Sequence, residues 1–580
     1  MKKESLLNYL YRFFDIIVLL FIVFDFGYDF EENYNSPHVV GLILLSLGLL
    51  AFNSFKFFNS TFKSNKKVVL INMILLIVIL ASCGVMWLLN SSFSVYYILQ
   101  KIKPVLEGGL ILYFLLRLMV FVRHIYDIYF NPAIVFVGSF MILVLIGSFL
   151  LMLPSATTNG ITFTNALFTA TSAVCVTGLT VVDTAVDFTI VGQSIIIVLI
   201  QLGGIGILTF TSFFAFFFRS SSSFKEGLNT RDFIANDGLK DVFRAALNVV
   251  VFTLGVELVG ALFIYSSIIE NPAIDNDFYF SIFHSISAFC NAGFSTIPGG
   301  MVNETVHFNY YLQWIIMCMI ILGGLGHNIV FNFFFYLKTY VIELFKKKII
   351  HRKIRIITVN TKIVIYTTLL LLVGGFVFLF LSEYNNTLLE HETVFGKITA
   401  ASFNAVSPRT AGFSAVDYEQ MNVPSLLFII FLMWIGGSPA STAGGIKTST
   451  FALATLNIVA VARGKSRIQI FGRRISSEST SRAFAILSIS LITIGISIMA
   501  ILIFEPKDTS LLTVAFECFS AYSTVGLSMN FTPTLTEPSK YVLIACMFIG
   551  RIGMLNLMIG LLRRLNHQFY EYPKENILIN

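Results

Sequence analysis

The sequence predicts an all-α polytopic membrane protein made of four internal repeats, with accessory transmembrane helices ahead of them. Composition is one reason: 56% of the 580 residues are hydrophobic and 12% charged, with a mean hydropathy of +0.82, where an average soluble domain carries about 25% charged residues. Repetition is another. Residues 169–183, 283–295, 403–414 and 519–528 share one outline: small and hydroxyl residues ending in a glycine, then Leu or Phe, then Ser or Thr. The glycines Gly178, Gly293, Gly412 and Gly526 stand 115, 119 and 114 residues apart, a near-fixed period that marks one unit used four times. Finally, each copy lies between two apolar runs, to be compared with the roughly 20 residues that span hydrocarbon.

In chain order, the run at 13–26 follows two lysines and ends in acidic residues. It offers no small-residue cleavage site, so it reads as a retained helix and not a signal peptide. Further accessory runs lie at 39–52, 68–89 and 110–122, the last interrupted by Arg117. This accessory region covers 1–131 and lacks the glycine motif. The repeats follow at 132–235, 236–350, 351–475 and 476–580. Each reads as a spanning helix, a short half-helix, the glycine loop and a second spanning helix. The spanning runs are 135–153 and 190–218, 245–269 and 311–337, 363–381 and 426–461, and 484–504 and 541–562. That gives eight core helices and four accessory ones.

Basic residues orient the chain, because Lys and Arg near helix ends mark the cytoplasmic side. The three connectors, 219–244, 338–362 and 463–482, hold nineteen of them, while the segments with the glycine motifs hold four: Lys397, Arg409, Lys507 and Lys540. The glycine loops therefore open to the outside, with the N-terminus cytoplasmic. The same reading accounts for the net charge of +7 without any nucleic-acid partner.

A loop too short and polar to span, held between two spanning helices, must dip in and return. Irregular backbone at that depth is tolerated only where it lines a water-filled cavity or is buried in protein. Four such loops about one axis make membrane-pore-membrane repeats around a pseudo-fourfold pore. Glycine lets the backbone turn successive carbonyls inward, where a ring of them replaces the hydration shell of a potassium ion. The half-helix before each loop aims its negative end at the same point. The candidate filter residues are Val176, Thr177 and Gly178; Asn291, Ala292 and Gly293; Thr410, Ala411 and Gly412; and Thr524, Val525 and Gly526. No loop supplies a ring of Asp or Glu, which a divalent-cation site would favour.

The second run of the third repeat is too long for one span and is interrupted at 436–448. Gly436, Gly437, Gly444, Gly445 and Pro439 each disfavour helix there, so the stretch is expected to form a flexible intramembrane gating loop under the filter, with Lys447 at membrane depth. Arg551 sits in another apolar run. A lone arginine there costs about 2.5–3.5 kcal/mol on insertion scales unless it faces a cavity or a partner.

On Thr177-Gly178-Leu179-Thr180, Asn291-Ala292-Gly293-Phe294, Arg409-Thr410-Ala411-Gly412-Phe413 and Ser523-Thr524-Val525-Gly526-Leu527, the chain resembles the superfamily of Trk, Ktr and HKT potassium transporters over about residues 132–565. The resemblance implies potassium as the transported ion, since a glycine in all four loops goes with potassium selectivity and a serine in the first with sodium. It also implies that Arg551 lines the pore below the filter and meets the gating loop. It further implies a homodimer in the plasma or inner membrane, and a cytosolic nucleotide-binding regulatory subunit of the Trk/Ktr type on the basic connectors, notably residues 346–355. The accessory helices resemble the Trk pattern more than the shorter Ktr one. A sodium-selective or sodium-coupled carrier of the same architecture is the alternative.

Glu257 fits a coupling carboxylate or a structural hydrogen-bonding group, and we read it as structural, as we do Glu517. His284 and His327 read as satisfied interior histidines. The six cysteines, without CxxC spacing, read as free buried thiols. An intramembrane hydrolase with Ser438 as nucleophile and His284 or His327 as base explains none of the repetition. Residues 391–395 fail the HExxH zinc pattern at their last position. The runs at 203–206 and 323–326 lie inside expected helices and complete no GxGxxG, so no nucleotide is expected on this chain.

Overall fold

A computed structural model describes residues 35–58, 66–89, 132–206, 239–269, 274–326, 329–337 and 357–553, except positions 275, 335, 440 and 466, with scattered positions at 27 and between 95 and 113. The accessory run at 13–26, most of that at 110–122, His327 and the basic stretch 346–355 lie outside the described residues.

The described chain is helical apart from loops and one hairpin, Gln469–Ile470 with Arg473–Arg474. Accessory helices α1 (Asn35–Phe58) and α2 (Lys66–Leu89) pack on each other. One order of elements then recurs. It runs α3 (Pro132–Leu151), the half-helix α4 (Phe163–Val174) and α5 (Ile190–Ile205); α6 (Leu239–Ile268), the half-helix α7 (Asp277–Cys290) and α8 (Tyr310–Leu325). It continues with α9 (Val359–Glu383), the half-helix α10 (Val394–Val406), α11 (Val423–Trp434) and α12 (Thr448–Ala462), and ends with α13 (Ser477–Phe504), the half-helix α14 (Leu511–Tyr522) and α15 (Glu537–Ile552).

Local sequence sets the starts. Thr162, Asn276 and Thr393 cap half-helices α4, α7 and α10 by accepting the amides of Asn165, Tyr279 and Gly396, which satisfies donors that a helix start leaves open. Among the described residues, five helices, α1, α2, α6, α9 and α13, are long and apolar enough to cross a membrane. The expected second runs are interrupted: helix resumes over 329–337 after a break at Gly326, while 207–218 and 554–562 lie outside the described residues. Helices α5 and α8 have 16 residues each, about 24 Å against a hydrocarbon core of about 30 Å. They stop at Gly206 and Gly326, and α15 stops at Gly553, with φ of 79°, 74° and 83°, a region glycine enters without steric cost. The glycine runs at 203–206 and 323–326 thus lie in the last turns of these helices, with their final glycines as the caps. In the third repeat the expected run divides into α11 and α12.

The core is distributed over four seams, each shared by consecutive repeats. Phe140 and Ile196 of the first repeat pack with Phe283 and Phe294 of the second. Ile316 and Met317 of the second meet Phe403 and Phe413 of the third. Ile429 and Met433 of the third meet Phe516 and Leu527 of the fourth, and Leu543 and Met547 of the fourth meet Phe168 and Leu179 of the first. Each second helix likewise touches the next half-helix, α5 on α7, α8 on α10, α11 on α14, and α15 back on α4. Because the last contact returns to the first repeat, no repeat is terminal.

In the fourth repeat the two flanking helices are also tied where the half-helix segment joins them. Glu505, just after α13, accepts the amide and hydroxyl of Thr536, at 2.9 and 2.8 Å, where α15 begins. Burial works to raise the Glu505 carboxyl, but the hydrogen bonds from Ser539 and Thr536 outweigh it and hold it below its ordinary value.

Candidate functional site

The four half-helices deliver one backbone conformation. The residue two before each glycine, Val176, Asn291, Thr410 or Thr524, has φ of 53°, 61°, 71° or 51°, and Gly178, Gly293, Gly412 and Gly526 have 94°, 71°, 79° and 92°. Positive φ is rare for β-branched residues and costs on the order of 1–3 kcal/mol each unless the surroundings impose it. Here the surroundings include a serine at the end of every half-helix, six residues before the glycine in three repeats and five before it in the third. Ser172 and Ser520 accept the amides of Gly178 and Gly526 at 3.0 and 3.1 Å. Ser287 donates to the Phe294 carbonyl at 2.8 Å, and Ser407 donates to that of Phe413. These serines were not singled out from the sequence, although they lie within the repeated motif, where a hydroxyl residue just before each loop was the available signal.

The glycines meet each other. A Cβ on Gly178 would collide with the Ala292 carbonyl and stand 3.3 Å from Gly293 Cα. One on Gly293 would stand 2.9 Å from Gly412 Cα, and one on Gly412 3.3 Å from Gly526 Cα. One on Gly526 would collide with the Thr177 carbonyl and stand 2.9 Å from Gly178 Cα. The loops touch in cyclic order and the fourth closes on the first.

Behind the fourth loop, the buried Glu517 carboxylate accepts Ser528 Oγ at 2.5 Å, the Met529 amide at 3.1 Å and Thr532 Oγ1 at 2.7 Å. It holds the outer end of that loop. Glu517→Ala is expected to lower stability by at least about 3 kcal/mol, since hydrogen bonds to charged groups contribute about 1.5–3 kcal/mol each; thermal unfolding in detergent measures it.

Below the ring, small residues let helices approach. A Cβ on Gly203, Gly323 or Gly550 would collide with carbonyls at the ends of half-helices α4, α7 and α14, those of Val174, Phe289 and Tyr522. The next residues are Gly204, Gly324, Gly437 in the third repeat, and Arg551 in the fourth. Residues 436–447 form the intramembrane loop. Its base is closed by the Gly436 amide on the Ile446 carbonyl at 2.8 Å and the Thr448 amide on the Gly437 carbonyl at 2.9 Å. It reaches the second repeat through the Ser438 amide on the Gly324 carbonyl, 2.9 Å, and Thr442 Oγ1 on the Phe289 carbonyl, 3.3 Å. Gly444 abuts Thr524 and Gly445 abuts Ser523 of the fourth. Arg551 donates to the Thr442 carbonyl and, at 2.8 Å, to that of Gly203 in the first repeat. Lys447 folds back to donate to the Ala443 carbonyl. The loop thereby lies beneath the ring in contact with the second and fourth repeats, and Arg551 ties it to the first.

The family described as TrkH, cation transport protein, matches residues 105–571. The chain belongs to this family. Its members are ion transporters and not enzymes. Relatives include the potassium/sodium uptake protein NtpJ of Enterococcus hirae, 34% identical over 455 residues that cover 77% of this chain and 97% of that protein. Another is the Ktr system potassium uptake protein B of Bacillus subtilis, 35% identical over 430 residues, covering 74% and 92%. The crystal structure of the potassium transporter TrkH from Vibrio parahaemolyticus superimposes with a TM-score of 0.59 at 17% identity, over 87% of this chain and 99% of that one, a likeness of fold. With five spanning-length apolar helices and this family, the chain is a membrane protein.

Other singled-out residues lie elsewhere. Glu257 accepts Gln201 Nε2 at 2.9 Å, joining α5 to α6. His284 bonds the Phe280 carbonyl at 3.0 Å and Ser295 Oγ at 2.9 Å, while Ser438 Oγ donates to the Leu325 carbonyl. These two are engaged separately and form no nucleophile–base pair. The cysteine expectation needs one correction: Cys318 is exposed and the other five are buried, because α8 is apolar on every face and its sequence carries no facing signal.

Proposed function

We propose that the chain takes up potassium across the cytoplasmic membrane through the ring of glycine loops, gated by the loop at 436–447 and Arg551. The observation that carries this is the recurrence of positive φ both at the glycine and two residues before it, in four loops that touch in a closed cycle. Alternating the hand of successive residues turns neighbouring carbonyls toward one side. Four such strands about an axis present stacked oxygen rings of the kind that replace potassium's water shell. The filter would comprise residues 176–178, 291–293, 410–412 and 524–526, in four repeats bounded as the sequence suggests, with the loops outward and the basic connectors cytoplasmic. The names of the two relatives support potassium. A homodimer and a cytosolic nucleotide-binding regulatory subunit on the connectors follow from the family resemblance.

One observation favours a second reading: the Enterococcus relative is named for potassium and sodium, which fits coupling of the two ions. Uptake in a potassium-uptake-deficient bacterial strain separates them. Growth rescued at limiting potassium without sodium supports a simple potassium path; rescue only with sodium supports coupling. No rescue, even with a Trk/Ktr-type regulatory subunit supplied, would refute both.

A further inference from the structure

The third repeat departs from the other three twice. Three residues before the filter glycine, the other repeats place Cys175, Cys290 and Ser523, and the third places Arg409. The third is also the repeat whose second helix is interrupted by the intramembrane loop. The two departures touch. Arg409 is 6% exposed and donates from one guanidinium nitrogen to the Gly436 carbonyl at 3.0 Å, at the closed base of the loop. Gly436 also lies against the filter, since a Cβ there would stand 3.3 Å from Thr410 Cγ2.

Arg409 has no second anchor. Its other terminal nitrogen is buried without a hydrogen-bond partner, and among the described residues it belongs to no ion pair. A cavity of about 20 Å³ lies beside it, lined by Arg409, Gly437, Val406, Thr368 and Leu372 among others, room for about one water molecule. A buried guanidinium needs its partners, so the bond to Gly436 governs where it sits. Its backbone leads directly into Thr410, the residue held at positive φ.

We propose that Arg409 is the positioning residue that couples the gating loop to the filter. With the loop seated, the Gly436 carbonyl holds the guanidinium, and the guanidinium holds the third filter strand. When the loop leaves, that hold is lost and the strand relaxes. Selectivity therefore depends on the position of the gate, and by reciprocity filter occupancy biases the gate. This rests on the filter reading given above.

The test is a double-mutant cycle on the full chain in liposomes, reading the ratio of potassium to sodium flux. The unsubstituted chain is measured first; absence of potassium preference there overturns the filter reading, and the coupling with it. Given that preference, Arg409→Gln is expected to lower the ratio about tenfold, the scale of one charge-assisted hydrogen bond. Arg409→Lys, which still donates to Gly436, should restore most of it. In the Arg551→Ala background, where the loop is unseated, Arg409→Gln should add less than about twofold, because interacting sites are non-additive. An equal fall in both backgrounds would mean that Arg409 shapes the filter without the loop, and no fall in either would exclude any role; both overturn the coupling. If Arg409→Gln does not fold, Gly436→Ala displaces the other end of the bond. A lowered ratio with Gly436→Ala supports the coupling, and an unchanged ratio overturns it.

Discussion

Gly526→Ala is expected to cut potassium uptake by at least about tenfold while the chain still reaches the membrane. The added methyl would collide with the Thr177 carbonyl and stand 2.9 Å from Gly178 Cα, and both neighbours are backbone that cannot rotate aside. Its φ of 92° adds strain of about 1–3 kcal/mol, and each 1.4 kcal/mol is a factor of ten. The damage reaches the first loop through the Thr177 carbonyl. Potassium preference should therefore fall along with rate. Gly495→Ala on α13 is the control, because nothing lies within 4 Å of its Cβ position. Rubidium uptake normalised to membrane abundance separates the two. Equal uptake by both variants would remove the glycine ring from the permeation path.

The repeat was legible because its signals are local: a glycine at near-fixed period, with apolar runs around each copy. The ends of the second helices were not. Apolar character continues through Gly206 and Gly326, and only the backbone angle marks the break. Candidate filter positions could be named because the motif recurs, yet the positive φ at Val176 and Thr524 contradicts what β-branched residues prefer. It is imposed by contacts that the sequence does not display. The bonds of the intramembrane loop were hidden for a simpler reason. Thr442 meets Phe289 and Arg551, each more than a hundred residues away, and Arg409 was visible as a member of the repeated motif without any sign of its bond to Gly436.

Arg551→Ala is expected to raise basal uptake at least about tenfold and to weaken its regulation. The fourth repeat places this arginine where the other three have Gly204, Gly324 and Gly437, so the fourfold pattern is broken by one cation beneath the ring. Its two terminal nitrogens hold the Thr442 carbonyl at the loop and the Gly203 carbonyl of the first repeat. Each charge-assisted bond contributes about 1.5–3 kcal/mol, so losing both shifts the seated loop toward release by about a hundredfold or more. Removing the charge also removes repulsion toward a cation leaving the ring. Arg551→Lys keeps the charge but cannot bridge two carbonyls with a planar fork, so its uptake should fall between the wild type and the alanine variant. That ordering separates repulsion from latching: lysine matching the wild type would assign the effect to charge, and lysine matching alanine would assign it to the two bonds. Unchanged uptake in Arg551→Ala would mean that neither the loop nor the arginine limits flow.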